Sequence, residues 1–224
     1  MEVMLYRYFD IRFILRSLPQ FLLGLELTVE ISVVAMAMAL IWGLVLAGPR
    51  MSGRRWLSAP VMTYIEVMRN TPLLLQIYLV YFGLPLIGLG LSPFASGAVA
   101  IAAQHGAFLA EVYRGGIESV SVRQWEAARA LGMDRWRALR LVVLPQALLK
   151  VVPPVGNHLV ILVKDSSLVS AIGIMDLTLT GKAIIERSGA SYEVFVTIAL
   201  FYLALTSLLS AVLRFVERRY RGTL

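Results

Sequence analysis

Ionisable side chains are rare in the apolar stretches of this chain, and those present stand in small groups. Glu66 and Arg69 are three residues apart, Lys164 and Asp165 are adjacent and precede Ser166 and Ser167, Glu111 stands three before Arg114, and His105 is alone. Such residues are costly at membrane depth and ask for a partner or a function: they can line a polar pocket, relay protons, or neutralise one another across a helical turn. For Glu66 and Arg69 two readings stand: an internal pair, or a polar pocket opened by Pro72, which removes a backbone donor just beyond Arg69. Lys164 and Asp165 read equally as a boundary cluster facing water or as pocket residues. Glu111 and Arg114 read as an interfacial ion pair, and His105 as a packed residue or as one lining a path.

Covalent and metal chemistry find no support. His105 and His158 lack the H-E-x-x-H spacing of a zinc site, and no G-x-S-x-G occurs. Gly181-Lys182 falls short of a phosphate loop, because Asp176 stands where the earlier glycine is required and Ala183 where a hydroxyl residue is required. No cofactor or metal is expected in this chain, and the ATP and Mg of any ATP-driven process would sit on another polypeptide.

The elements that position these residues follow from composition. Of 224 residues 58% are hydrophobic and 16% charged, without cysteine, and the mean hydropathy is +0.76. A water-soluble domain carries about a quarter charged residues, so these values define an integral membrane protein. They exclude disorder and a disulfide scaffold. The net charge of +7 implies no nucleic acid, since membrane proteins gather cations on cytoplasmic loops.

Charge-free runs predict an all-α helical bundle of five transmembrane helices: about residues 21–47, 58–82, 94–113, 148–163 and 194–213. Pro85, Gly88, Gly90 and Pro93 divide the uncharged stretch between Asn70 and Ala110 into two spans. The fourth span begins among Pro145, Pro153 and Pro154 and should start irregularly. Residues 164–193 predict a long loop with some helix. Residues 1–19, with Arg7, Arg12 and Arg16 and ending at Pro19, predict an amphipathic segment in the interface rather than a cleaved signal. The membrane domain spans 20–218 and a tail 219–224. Cations cluster after span one (Arg50, Arg54, Arg55), after span three (Arg114 to Lys150) and at the C-terminus (Arg214 to Arg221). Those three places share one face, which places the C-terminus in the cytoplasm and the N-terminus outside.

Between spans three and four, residues 121–145 predict two short helices. Ser121 and Gln124 have the form of a capping box, and Trp125, Ala127, Ala128 and Leu131 form an apolar stripe. Gly132 can end the first helix in the left-handed conformation, and Asp134 can cap a second that Pro145 ends or kinks. Such an exposed knob suits docking into a partner's groove, or serves as an interfacial loop anchored by Trp125 and Trp136.

The segment resembles the EAA loop of ATP-binding-cassette importer permeases: Glu126-Ala127-Ala128, then Gly132, then Val142, Leu144 and Pro145 at the family's spacing, with Val142 where isoleucine is usual. Arg69-Asn70-Thr71-Pro72-Leu73-Leu74 is similar to the R-G-T-P-L-L run of the polar amino-acid branch, Asn70 replacing glycine. Ala110 to Ile117, Gln124-Trp125, Gly156-Asn157 and Lys164-Asp165-Ser166-Ser167-Leu168 resemble that branch too, so the likeness covers about residues 20–218. It implies a type I permease fold, a multi-pass location in the bacterial inner membrane, and alternating access. It also implies partners: a separate ATPase subunit, a second permease subunit (identical or not), an extracytoplasmic substrate-binding protein, membrane lipid and a polar amino acid. Glu126, Ala127, Ala128 and Gly132 would form the coupling contact with the ATPase. Arg69, His105, Lys164, Asp165 and Ser166 would line the substrate pathway, Arg69 or Lys164 taking the carboxylate and Asp165 the ammonium. The rival readings are an ion-gradient-driven transporter or channel, using Glu66, Arg69, His105 and Asp165 as a relay, and an intramembrane enzyme, which requires His105 and His158 to converge on a shared cavity.

Overall fold

The computed structural model describes residues 10–221, and all regular structure among them is helical. Helix α1 is Ile11–Arg50, α2 Arg55–Asn70, α3 Leu73–Tyr78 and α4 Pro93–Glu118. Then come α5 Val122–Ala130, α6 Arg135–Ala138, α7 Leu144–Asp165, α8 Leu177–Ser188 and α9 Ser191–Arg221. Three stretches are long and apolar enough to cross a bilayer, Ile11–Arg50, Arg135–Ile172 and Ser191–Phe215, and Arg55–Asn70 with Leu73–Ile87 forms a broken fourth. Helix α4, 26 residues long, does not reach the same apolarity, because Gln104 and His105 sit in its middle.

Helix α1 has 40 residues, about 60 Å at 1.5 Å per residue, or twice a hydrocarbon core. Residues 1–9 of the expected interfacial segment lie outside the described residues, and residues 11–19 are helical in continuity with the first span. Pro19 sits within α1, not at its start. Proline there forfeits one backbone bond, and Ser17 and Phe21 on either side of it are buried.

Proline shapes this fold by altering helical pitch more than by ending helices. Leu79–Gly83 and Leu139–Val143 are single π-helical turns, and each closes two residues before a proline, Pro85 and Pro145. A proline ring clashes with the carbonyl four residues back, here Tyr81 and Leu141, and a widened turn at that place relieves the clash. Pro145 therefore neither stops the chain nor opens a fresh span: α6, the π turn and α7 run on as one helical stretch, with Pro153 and Pro154 inside α7. After Pro85 a short 3-10 turn ends at Gly88, φ +82°, and Pro93 starts α4, the division expected between spans two and three.

The chain forms two compact units. The described residues within Met1–Met36, Pro72–Ile101 and Ile161–Leu209 make one, and those within Ala37–Thr71, Ala102–Val160 and Ser210–Leu224 the other. The first unit is built on Phe21, Leu177, Ile184, Val194 and Ile198, with Phe21 stacked on Phe201 at 5.9 Å between centroids. Here the expected long loop of 164–193 is mostly helix: a 3-10 stretch Ser166–Ile172, a turn through Gly173, and α8. Polar residues make helix here because their groups are used internally. Asp176, fully buried, caps α8 by accepting from the backbone N–H of Thr178 at 3.2 Å and Leu179 at 2.9 Å, and Leu177 N–H donates to Thr28 Oγ1 at 3.0 Å.

The second unit is built on Leu46, Ile65, Ala107 and Ala110, with a further cluster of Val120, Val143 and Ala147. Small residues let the first helix and α4 approach closely: a Cβ added at Gly106 would lie 2.8 Å from Trp42, and one at Gly43 2.9 Å from the Leu109 Cβ.

Removing the α8 cap should weaken the first unit. Asp176→Ala is expected to cost about 1–2 kcal/mol, the range of N-cap losses, and Asp176→Asn less, since an amide oxygen still accepts. Thermal unfolding of the purified chain in detergent measures both, and equal effects of the two variants would show that the cap is not what Asp176 supplies.

Candidate functional site

The helix–glycine–helix knob is as expected in outline. Ser121 caps α5 by accepting from Arg123 N–H at 3.3 Å, and Asp134 caps α6 by accepting from Trp136 and Arg137 N–H, each at 2.9 Å. Gly132 takes φ +76°, and Met133 N–H donates to Ala128 O at 3.1 Å across it, the pattern that closes a helix through a left-handed residue. The reciprocal half of the capping box is absent among the hydrogen bonds of the described residues. The Gln124 amide oxygen instead accepts from Gln146 Nε2 at 3.4 Å.

The expected apolar stripe splits in two. Trp125 packs against Val120, Val143 and Ala147 and Ala128 is 3% exposed, while Leu131 and Trp136 are 79% and 66% exposed. Glu126, Ala127 and Gly132 face outward. Of the four residues expected at the coupling contact, Ala128 therefore seats the helix on its own chain, its small side chain fitting against the core. The other three present a surface. The seat is fastened: Lys150 Nζ donates to Ser119 O, just before α5, at 2.6 Å.

Behind the knob, Glu111 joins two elements. It accepts from Arg50 Nε at 2.9 Å and from Arg114 at 2.7 Å, and Arg114 also pairs with Glu118. The hydrogen bonds that Arg114 donates to Glu111 and Glu118 push its guanidinium above its ordinary pKa, so it stays charged. The expected Glu111–Arg114 pair is thus half of a bridge from α1 to α4.

Arg69 does not pair with Glu66 among the described residues. Its guanidinium carbon lies 5.1 Å from the centroid of Phe108, a cation–π distance. Phe108 lies 6.5 Å from His105 and 5.4 Å from His158, and the two imidazoles stand edge to face at 6.3 Å. The fold thus joins Arg69, His105 and His158 around one ring. His105 is 2% exposed, and the Nδ1 of His158 is buried without a hydrogen-bond partner. Among the described residues no three His, Asp or Glu side chains gather to hold a metal ion.

The pocket reading depended on Pro72 breaking the helix, and it does. Thr71 and Pro72 leave the helical region, with ψ 136° and 133°. The carbonyls released are taken up by side chains: Asn70 Nδ2 donates to Glu66 O at 2.8 Å, Thr71 Oγ1 to Val67 O at 2.7 Å, and Gln104 Nε2 to Met68 O at 3.1 Å and Thr71 O at 2.8 Å. Gln104 is the residue that sequence reasoning passed over. Its signal was a lone amide inside an apolar helix.

Lys164, Asp165 and Ser166 belong to the other unit. Lys164 is exposed and Asp165 half-buried. Ser166 is fully buried, donating to Val163 O at 2.8 Å and bonded to Ser32 Oγ at 3.1 Å, so its hydroxyl is occupied within the protein.

A helical membrane domain with a stiff exposed knob and cations at spanning depth has the form of a transport permease, and comparison with known proteins agrees. Residues 39–222 match the family described as "Binding-protein-dependent transport system inner membrane component". The glutamine transport system permease protein GlnP of Escherichia coli (strain K12) is 38% identical over 216 residues, 95% of this chain and 98% of that protein. The probable glutamine ABC transporter permease protein GlnM of Bacillus subtilis (strain 168) is 38% identical over 88% of this chain and 91% of its own. Among solved structures, one described as an amino acid ABC transporter with histidines superposes with a TM-score of 0.90 at 36% identity, covering 94% of this chain and 98% of that one. The MetNI methionine ABC transporter shares the fold, with a TM-score of 0.70 at 20% identity. The chain belongs to the binding-protein-dependent transport system inner membrane component family: it is a multi-pass permease subunit of an ATP-binding-cassette importer, not itself an enzyme and not the ion-gradient transporter weighed above.

Replacing Gln104 by Leu removes the hydrogen bonds that its amide donates to the carbonyls of Met68 and Thr71. A hydrogen bond contributes about 0.5–1.5 kcal/mol net, so Gln104→Leu should lower the unfolding temperature in detergent despite adding apolar surface. A variant as stable as the parent would show that the break does not need that amide.

Proposed function

We propose that this chain is one of a pair of permease subunits that import a polar amino acid across a bacterial inner membrane, driven by ATP hydrolysis on a separate subunit. The observation that carries the reading is the knob: Glu126, Ala127 and Gly132 exposed on a short helix whose other side, Trp125 and Ala128, is locked to the chain. A docking element transmits force only if it cannot rotate on its own seat, and both caps, the glycine turn and Lys150 oppose rotation here. The ATPase, carrying the ATP and Mg, would grip the outward face. An extracytoplasmic binding protein would deliver substrate, and the second permease would be identical to this chain or not. Five crossings, with α4 as the third, place the N-terminus outside and the knob and C-terminus in the cytoplasm, in accord with the cation distribution. The names of the glutamine permeases support a polar amino acid as cargo.

Along the translocation path, Arg69 or Lys164 takes the substrate carboxylate and Asp165 its ammonium. His105, which packs beside Phe108 as Arg69 does, and Ser166 would belong to the same path. A cation held over an aromatic face keeps its donors free for a passing carboxylate.

Two measurements test this. With the cognate ATPase and receptor in lipid, Gly132→Asp should lose at least about tenfold of substrate-stimulated ATP hydrolysis, because positive φ disfavours a side chain there and the helix angle changes. Insertion into the membrane should be unaffected. Arg69→Ala and Asp165→Ala should each reduce uptake while leaving basal ATP hydrolysis in place. Unchanged transport affinity and rate in both would remove these residues from the path.

A further inference from the structure

The seam between α1 and α8 carries a groove that the transport reading does not use. Gln20, Leu23, Gly24 and Leu27 on one side face Met175, Thr180, Ala183 and Arg187 on the other, around a volume of about 400 Å³. Spacings of three and four residues put the α1 set on one helical face. The two helices run antiparallel: Thr28 meets Leu177 N–H, Gly24 meets Thr180, and Gln20 and Arg187 lie at the remaining end. Polar groups therefore stand at one end of the groove, and Leu23, Leu27 and Met175 line the rest.

Depth in the membrane gives this order a meaning. Phe21 packs on Val194, Ile198 and Phe201, the first turns of the uncharged part of α9. On the proposed five-crossing topology, on which this inference rests, Gln20 and Arg187 fall beside the start of the uncharged part of α9, at the level of the headgroups, and the groove leads from there along the apolar part of the helices. The α1 row continues outward through Arg16 and Arg12, each one turn further and both exposed. Arg187 is exposed and forms no ion pair among the described residues. The acidic residues of these two helices, Glu26, Glu30 and Glu186, are exposed but do not line the groove. A zwitterionic solute would find no anion in it for its ammonium. An apolar channel headed by uncompensated guanidinium groups fits a molecule with an anionic head and a hydrocarbon tail.

We propose that this groove seats an anionic phospholipid, its phosphate on Arg187 and Arg16 and one acyl chain along Leu23, Leu27 and Met175. Retention of phosphatidylglycerol and of phosphatidylcholine by the purified full chain, read by native mass spectrometry after detergent washing, tests it. The wild type should keep phosphatidylglycerol preferentially, and Arg187→Gln should lower that preference about fivefold, the effect of one cation near an anionic headgroup. Ala183→Leu, which fills the groove, should abolish retention of both lipids, and Lys182→Gln, exposed on α8 but outside the groove, should change nothing. Three results would overturn the proposal: Arg187→Gln binding phosphatidylglycerol like the parent, Lys182→Gln losing as much as Arg187→Gln, or Ala183→Leu altering the oligomeric state with lipid retention intact. The last would make the groove a seam between copies of the chain.

Discussion

A backbone carbonyl in hydrocarbon has no water to turn to, and leaving it without a donor costs several kcal/mol. That constraint governs where this chain can depart from regular helix. At Thr71–Pro72 the helix breaks, and Asn70, Thr71 and Gln104 supply the missing donors to the carbonyls of Glu66, Val67, Met68 and Thr71. At Asp176 a new helix starts with buried N–H groups, and a buried carboxylate accepts from them. At Asp165 and Ser166 the helix tightens to 3-10, and the Ser166 hydroxyl donates to Val163 O. Each irregularity has a short polar side chain beside it, so the polar residues at spanning depth are first of all the conditions for bending the chain.

The same economy explains the prolines. Widening one turn before Pro85 and before Pro145 keeps the chain helical where a clash would otherwise end it. For Pro145 the consequence is mechanical: the knob's second helix and the fourth span form one continuous stretch, so displacement of the knob is passed directly into a membrane helix. A flexible linker at that place would absorb the motion. Glu111, bonded to both Arg50 and Arg114, adds a second stiff connection behind the knob.

Burial then separates residues that look alike in the chain. Ala127 and Ala128 are adjacent in the family motif, yet one faces outward and the other the core, because neighbours on a helix point about 100° apart. Arg69 and Lys164 are both cations near helix breaks. Both are exposed, but Arg69 lies over the Phe108 ring, which the two imidazoles flank.

What the sequence determined by itself were the features that depend on near neighbours and on solvent: an α-helical membrane protein, from its long apolar runs; the glycine turn at Gly132 and the caps at Ser121 and Asp134; and the family, from motifs in fixed order, while at Pro72 it left a break and an unbroken second span over 58–82 both open. Local chemistry suffices for these, since a cap, a positive φ or a missing N–H acts within a few residues. Tertiary structure decided the rest. It determined that Pro19 and Pro145 are crossed by helices, a π turn accommodating Pro145, and that residues 164–193 are mainly helical, because Asp176 finds donors inside the fold. It set Gln104 against a broken helix far from it in sequence, and gathered Arg69, His105 and His158 around Phe108. Spacing along the chain carries no information about such meetings, which depend on how separate helices pack.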